Sequence, residues 1–253
     1  MGGRMKKIGS RGMLAMILWA ITLSPALAGR PLITEDAGTA EKGFFELELA
    51  VDYGRDNNGD NSVTPSAQLA YGLNERAEVA IAGGYLFKRM ADNGWEDGPG
   101  DLNAYLKYRI LGEREYYPGF TLKPWIKIPT ADEDKGLGSG KTDLGLTAVM
   151  SKSFTGFNLH LNAGYTLIGA KDATDEMNLA LAGEYEVTKG LIAVAEIRYN
   201  QNFNSDRKDD PANFLAGVQV AVGKAQFDAG LTIGLNRAAP DYVLTAGVTI
   251  KFH

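Results

Sequence analysis

Three features of this 253-residue sequence predict an all-β fold, a transmembrane antiparallel up-and-down β-barrel of about 12 strands. Apolar and polar residues alternate with a period of two from Phe44 to the end. The connections between the alternating segments are by turns long and short. The large aromatic residues gather at both ends of those segments, away from their middles.

The chain opens with a leader. Arg4, Lys6, Lys7 and Arg11 precede the apolar run Met13–Leu23, and Ala26-Leu27-Ala28 ends it with small residues at an A-x-A site. A basic start, a short apolar run and a small-residue cleavage site form a secretory signal peptide over residues 1–28. The apolar run is too short to cross about 30 Å of hydrocarbon. Without the leader, 225 of the 253 residues remain, carrying 22 basic and 31 acidic side chains, a formal charge of −9. That balance argues against a nucleic-acid partner, which calls for a basic face. The chain has no cysteine, which excludes disulfide-stapled scaffolds and thiol or zinc–thiolate chemistry.

The first barrel segment, Phe45–Tyr53, alternates almost without fault, so Phe45, Leu47, Leu49, Val51 and Tyr53 share one strand face. The same pattern returns in Leu102–Ile110, Phe120–Ile128, Phe157–Leu167, Met177–Val187, Phe227–Leu235 and Tyr242–Phe252. Weaker versions, with Gly or Ala at polar positions, run through Thr64–Tyr71, Val79–Phe87, Leu144–Met150, Leu191–Tyr199 and Phe214–Val222. Long polar loops are expected at Gly54–Asn61, Lys88–Gly98, Pro129–Lys141, Gly169–Glu176, Gln201–Pro211 and Asn236–Asp241. Tight connections fall at Gly72–Arg76, Ser153–Gly156, Thr188–Gly190 and Gly223–Ala225, with Leu111–Gly119 the longer exception. Residues 43–253 therefore form the barrel, and residues 29–42 are an N-terminal periplasmic segment able to fold up into its mouth.

Alternation alone does not choose between a lipid-facing and a ligand-facing apolar surface. The aromatics do. Phe45, Tyr71, Tyr108, Phe120, Phe157, Tyr185, Phe227 and Phe252 stand next to the short turns, and Tyr53, Tyr85, Phe87, Tyr165, Tyr199, Phe214 and Tyr242 next to the long loops. Rings with an apolar body and a polar handle settle at lipid–water boundaries. The apolar face points outward into lipid, and every backbone amide must be paired within a closed sheet. The expected location is the bacterial outer membrane, among lipid and lipopolysaccharide.

The mature start, Arg30–Ala37 continuing through Glu41–Glu48, resembles the opening of a family of bacterial outer-membrane barrels labelled "transporter" or "MetA-pathway of phenol degradation". Further matches are Tyr71–Arg76, Gly100-Asp101-Leu102 with Lys107-Tyr108-Arg109, and Lys127–Thr130. The resemblance covers most of the mature chain and rests on strand and turn motifs. It implies an outer-membrane barrel passing small, hydrophobic or aromatic solutes. The last strand, Thr245–Phe252, resembles the carboxy-terminal signal read by the barrel assembly machinery, with His253 one residue beyond the usual terminal aromatic.

With the apolar face outside, the inward acids include Glu46, Glu48, Glu78, Glu184, Glu186 and Asp228, near the short-turn mouth. The inward bases are Lys107, Arg109, Lys123, Lys127, Arg198 and Lys251. Charged rings of this kind set ion preference, which points to a water-filled path with mild cation preference. The alternative is a lumenal salt-bridge network that braces or closes the barrel. Tyr105 and Trp125 are the large inward rings on well-patterned strands and are expected at similar depth beside Lys107, Lys123 and Lys127. An aromatic solute stacking there competes with the reading that the two rings simply fill volume.

No cofactor, metal or catalytic residue is expected. Gly136–Thr142 imitates a phosphate-binding loop but leads into a strand. Asp56–Asn61 lacks the Gly and Glu of a calcium loop. His160 is inward without a neighbouring Ser or Asp pattern in sequence, which makes it a lumen-lining residue. Three classes stay open: a diffusion channel, a closed structural or adhesive barrel, and, with least support, an outer-membrane hydrolase.

Overall fold

A computed structural model describes residues 29–90, 94–171, 173–204 and 210–253. The predicted leader lies outside the described residues. Thirteen antiparallel strands run in chain order: β1 (Phe45–Arg55), β2 (Asn61–Asn74), β3 (Ala77–Met90), β4 (Gly94–Pro99), β5 (Leu102–Leu111), β6 (Gly119–Ile128), β7 (Asp143–Phe154), β8 (Phe157–Leu167), β9 (Glu176–Thr188), β10 (Leu191–Asn202), β11 (Ala212–Val222), β12 (Ala225–Gly234) and β13 (Tyr242–Phe252). Each strand pairs with its sequence neighbours except that β4 and β5 both pair with β3, and β1 also pairs along its whole length with β13, from Phe45↔Phe252 to Arg55↔Tyr242. The sheet closes on itself.

One connection departs from expectation. Most of the loop predicted at Lys88–Gly98 is wall: β4 pairs with the end of β3, Tyr85↔Pro99 to Met90↔Gly94. The same edge of β3 pairs with β5 from Ala77↔Tyr108 to Ala82↔Asn103. The pairing register shifts by one residue between the two stretches, the mark of a bulge, and the Gly100 N–H donates to the Gly84 carbonyl at 2.9 Å. Strands β4 and β5 thus form one stave broken at Gly100-Asp101, and the closed barrel has twelve staves. Period-two reading missed β4 because Gly94–Pro99 contains two glycines and a proline and has little apolar alternation.

The burial pattern inverts that of a water-soluble barrel. Leu49, Val51, Leu69, Ile81, Leu146 and Leu231 are exposed, while Glu78, Lys107, Asn162, Glu184, Glu196 and Gln219 are buried. An apolar outer surface around a charged interior is stable only where lipid replaces water outside. Among the two-residue turns on one side, three hold Gly156, Gly190 and Gly223 at positive φ, a conformation that glycine adopts without steric cost. The seam between first and last strands carries its own aromatic cluster: Phe45 lies 4.6 Å from Tyr71 and 5.6 Å from Phe252, ring centre to ring centre. His253, beyond the usual terminal aromatic, meets Phe44 edge-on at 4.9 Å.

At the opposite end a repeated clasp fastens the long loops. Asp175 accepts the Tyr165 hydroxyl at 2.8 Å and the Ile168 N–H at 3.1 Å. Asp210 repeats this with the Tyr199 hydroxyl at 3.0 Å and the Asn202 N–H at 2.9 Å. In both, one carboxylate joins a boundary tyrosine to the backbone three residues further on.

Candidate functional site in the lumen

Residues 29–42, the segment expected to be able to fold up into the periplasmic mouth, lie along the inside of the barrel. They form a strap that follows the inner wall from β11 and β12 round to β2 before the chain enters β1. The Gly29 and Arg30 carbonyls accept from Gln219 Nε2 on β11, at 3.3 and 3.1 Å. Glu196 on β10 accepts the N–H groups of Ile33 and Thr34, at 2.9 and 2.6 Å. Asn162 on β8 accepts the Glu35 N–H at 2.8 Å and donates to the Glu35 carbonyl at 2.9 Å. Ala37 is held on both sides: its N–H donates to Ser151 Oγ at 2.8 Å and its carbonyl accepts from Thr121 Oγ1 at 2.6 Å. The Ala40 N–H donates to Glu78 on β3, and a bridge between Lys42 and Gly72 ends the circuit.

Apart from the Lys42–Gly72 bridge the strap has no helix or sheet pairing, so its buried amides need partners from the wall. The inward carboxylates and amides supply them. Leu32 adds an apolar anchor, packed with Ala182, Val194 and Leu215. The wall is cut away where the strap lies close. A side chain at Gly217 or Gly230, Cα partners across β11 and β12, would press on Pro31, and one at Gly72 would strike the Ala40 and Glu41 carbonyls. Arg30 reaches Asp52 at 3.5 Å and Asp228 at 3.7 Å and donates to Thr245.

Several predicted lumen residues therefore turn out to hold the strap. Lys107, buried, lies 3.1 Å from Glu35 and 3.8 Å from Asp36, and Lys123 also donates to Glu35. Burial alone would push the Glu35 carboxyl up, but Lys123 and Lys107 outweigh it and hold it at about 2. Burial raises Asp36 above the usual carboxylate range despite Lys107 and His160 nearby. Tyr105 and Trp125 are Cα partners across β5 and β6. The Lys123 ammonium stands 3.9 Å from the centre of the Tyr105 ring, and the Tyr105 hydroxyl donates to Glu78 at 3.3 Å. Trp125 lies over Gly145 of β7, where a side chain would collide with its indole.

Elsewhere, Lys127 bridges Asp143 at 2.6 Å and Asp101 at 3.6 Å and donates to Ser139 in the 129–141 loop. Glu46 pairs with Lys251 at 3.0 Å, and Arg109 donates to the Glu75 carbonyl in the turn between β2 and β3. Glu186 departs from the lumen-lining expectation. It is exposed near the end of β9, next to a bulge at Leu191/Ile192, whereas Glu184 two residues earlier is buried. The alternation continues past the point where the lumen ends.

His160 has a partner that sequence spacing hid. Ser151 stands opposite it across β7 and β8, with Oγ 2.8 Å from Nδ1, and Glu184 Oε2 is 3.6 Å from Nε2. Ser151 Oγ also accepts the Ala37 N–H, so this wall pair reaches the strap. Ser151 thus links His160 to the strap, while Glu184 lies near the far side of the ring, beyond hydrogen-bond range.

Three cavities run past the strap, one across the short-turn mouth and two beside β1, β2 and β3. The inner one, about 630 Å³, is lined by Phe44, Glu46 and Arg109. It shares Asp36, Ala40 and Glu46 with a middle cavity of about 190 Å³, which is also lined by Tyr105 and Lys107. The middle cavity shares Arg30, Glu48 and Gln68 with an outer one of about 440 Å³, roofed by Leu137 of the 129–141 loop.

A family model described as "Putative MetA-pathway of phenol degradation" matches residues 89–252. The chain belongs to this family. The barrel of this family member is similar to the COG4313 outer membrane channel from Pseudomonas putida F1, with 16% identity, a TM-score of 0.65, and coverage of 86% of this chain and 98% of that one. It is also similar to the NanC porin (10% identity, TM-score 0.60, 81% and 100% coverage). The translocator domain of the autotransporter NalP from Neisseria meningitidis follows, with 12% identity, a TM-score of 0.52, and 83% and 89% coverage. At these identities the likeness is one of fold, an outer-membrane β-barrel. No curated protein sequence matches this chain significantly.

Proposed function

We propose that this family member is an outer-membrane channel for passive passage of small solutes, aromatic and hydrophobic ones among them, through a charged lumen. The observation that carries the reading is the series of three adjoining cavities that share lining residues past the strap. Family membership and the likeness to an outer membrane channel support it. Tyr105, which lines the middle cavity, and Trp125 opposite it are the proposed contact for aromatic solutes. Lipid and lipopolysaccharide surround the barrel, and the Thr245–Phe252 pattern is the proposed contact for the barrel assembly machinery.

One observation favours a second reading, a closed structural barrel: the strap is hydrogen-bonded to strands around most of the circumference. Planar-bilayer recording of the mature protein separates the two. Stepwise ohmic conductance is the expected result, and a folded, heat-modifiable barrel that passes no current would overturn the channel.

A further inference from the structure

The middle and outer cavities meet at Glu48, Gln68 and Arg30. These three residues stand where the smallest cavity opens to the outer side. Glu48 and Gln68 are Cα partners on β1 and β2, so their side chains lie side by side on the same wall.

Most charges bordering this junction are already matched. Arg30 lies between Asp52 and Asp228. Lys107 faces Glu35 and Asp36. Glu46, one inward position before Glu48, pairs with Lys251. Glu78 accepts from the Ala40 N–H and the Tyr105 hydroxyl. Glu48 differs: among the described residues its carboxylate has no hydrogen-bond or ion-pair partner, and it lines both cavities. A carboxylate with no cation in ion-pair range, in a narrow passage walled by protein, attracts mobile cations and repels anions when it is ionised.

Resting on the channel reading above, we propose that Glu48 sets the selectivity of this pore. Its carboxylate is a transient site for small inorganic cations and for ammonium-bearing organic solutes. Gln68 beside it offers a neutral amide for the rest of the solute. Passage favours cationic over anionic solutes of equal size.

The test is the reversal potential of single channels in a potassium chloride gradient, for the mature protein and for Glu48→Gln and Glu48→Lys. Potassium permeates the unaltered protein better than chloride, by about threefold from one screened charge at contact range. Glu48→Gln brings the ratio close to unity and Glu48→Lys inverts it. A conducting protein whose ratio is the same with and without Glu48 overturns this proposal and leaves the channel standing. Absence of current in the unaltered protein overturns both.

A second measurement does not depend on altering Glu48. The native chain has no cysteine, so Ser66→Cys places a single thiol in the outer cavity. A cationic methanethiosulfonate reacts there about threefold faster than an anionic one. Thr232→Cys, a buried position on β12 outside the three cavities, stays unreactive with both. Equal rates for the two reagents at Ser66→Cys, or fast reaction at Thr232→Cys, overturns the proposal.

Discussion

Tyr105 on β5 and Trp125 on β6 face each other across the strand pair, but their rings have different neighbours. Tyr105 is taken by the Lys123 ammonium at 3.9 Å, while Trp125 is seated on Gly145. Tyr105 lines the middle cavity, and using its ring face requires displacing a cation that also holds Glu35; Trp125 lines none of the three cavities.

Under the proposed aromatic contact, Trp125→Ala is expected to slow uptake of small aromatic solutes about two- to tenfold, the value of one ring–ring contact. Uptake of a non-aromatic solute of equal size stays unchanged or rises. Liposome-swelling rates for a matched pair of solutes read both. Equal change for the two solutes removes the aromatic contact.

The strap depends on Glu196, whose carboxylate takes two adjacent N–H groups and lies 2.6 Å from Arg198. Glu196→Ala leaves those donors and the half-buried Arg198 guanidinium unmatched, at a cost of about 2–4 kcal/mol to strap docking. Limited proteolysis of the folded barrel is expected to cut within residues 29–42 of this variant, and far more slowly in the unaltered protein. The rest of the barrel keeps its heat-modifiable mobility, since all ladder hydrogen bonds remain.

The same release is expected from Gly72→Val by a different route. A side chain there collides with strap backbone, which cannot move aside as a flexible side chain could. The variant is expected to show higher single-channel conductance than the unaltered protein. Equal conductance means that the strap does not narrow the path.

Acid acts on the strap through Glu35. Its carboxyl sits at about 2, below its ordinary 4.5, so its contribution to docking is present above the ordinary value and is lost as pH falls towards 2. Asp36 has the opposite sign: its raised carboxyl takes a proton earlier, which relieves a buried charge and does not release the strap. Fluorescence of Trp125 in a Trp95→Phe background is expected to hold steady from pH 7 to about 4 and change near about 2. Glu35→Gln removes that step.

The alternation of Phe45–Tyr53 and its successors was legible because strand geometry records the two faces at adjacent positions in sequence. The aromatic bands were legible for the same reason, since strand ends repeat at intervals set by bilayer thickness. The opposition of Tyr105 and Trp125 followed from counting back from their connection. β4 was not legible, because Gly- and Pro-rich strand carries no apolar signal.

Sequence by itself determined that this chain is a lipid-facing barrel with acids and bases pointing inward. Only the tertiary structure decided which of those charges are spent on the strap and which is left facing the path. The pairs that decide it are separated by long stretches of chain: Thr34 and Glu196 by 162 residues, Glu35 and Asn162 by 127, Arg30 and Gln219 by 189. Local periodicity reflects a strand's own two faces. It carries no record of which distant strand a threaded segment will touch, because that depends on how the closed barrel brings opposite walls together.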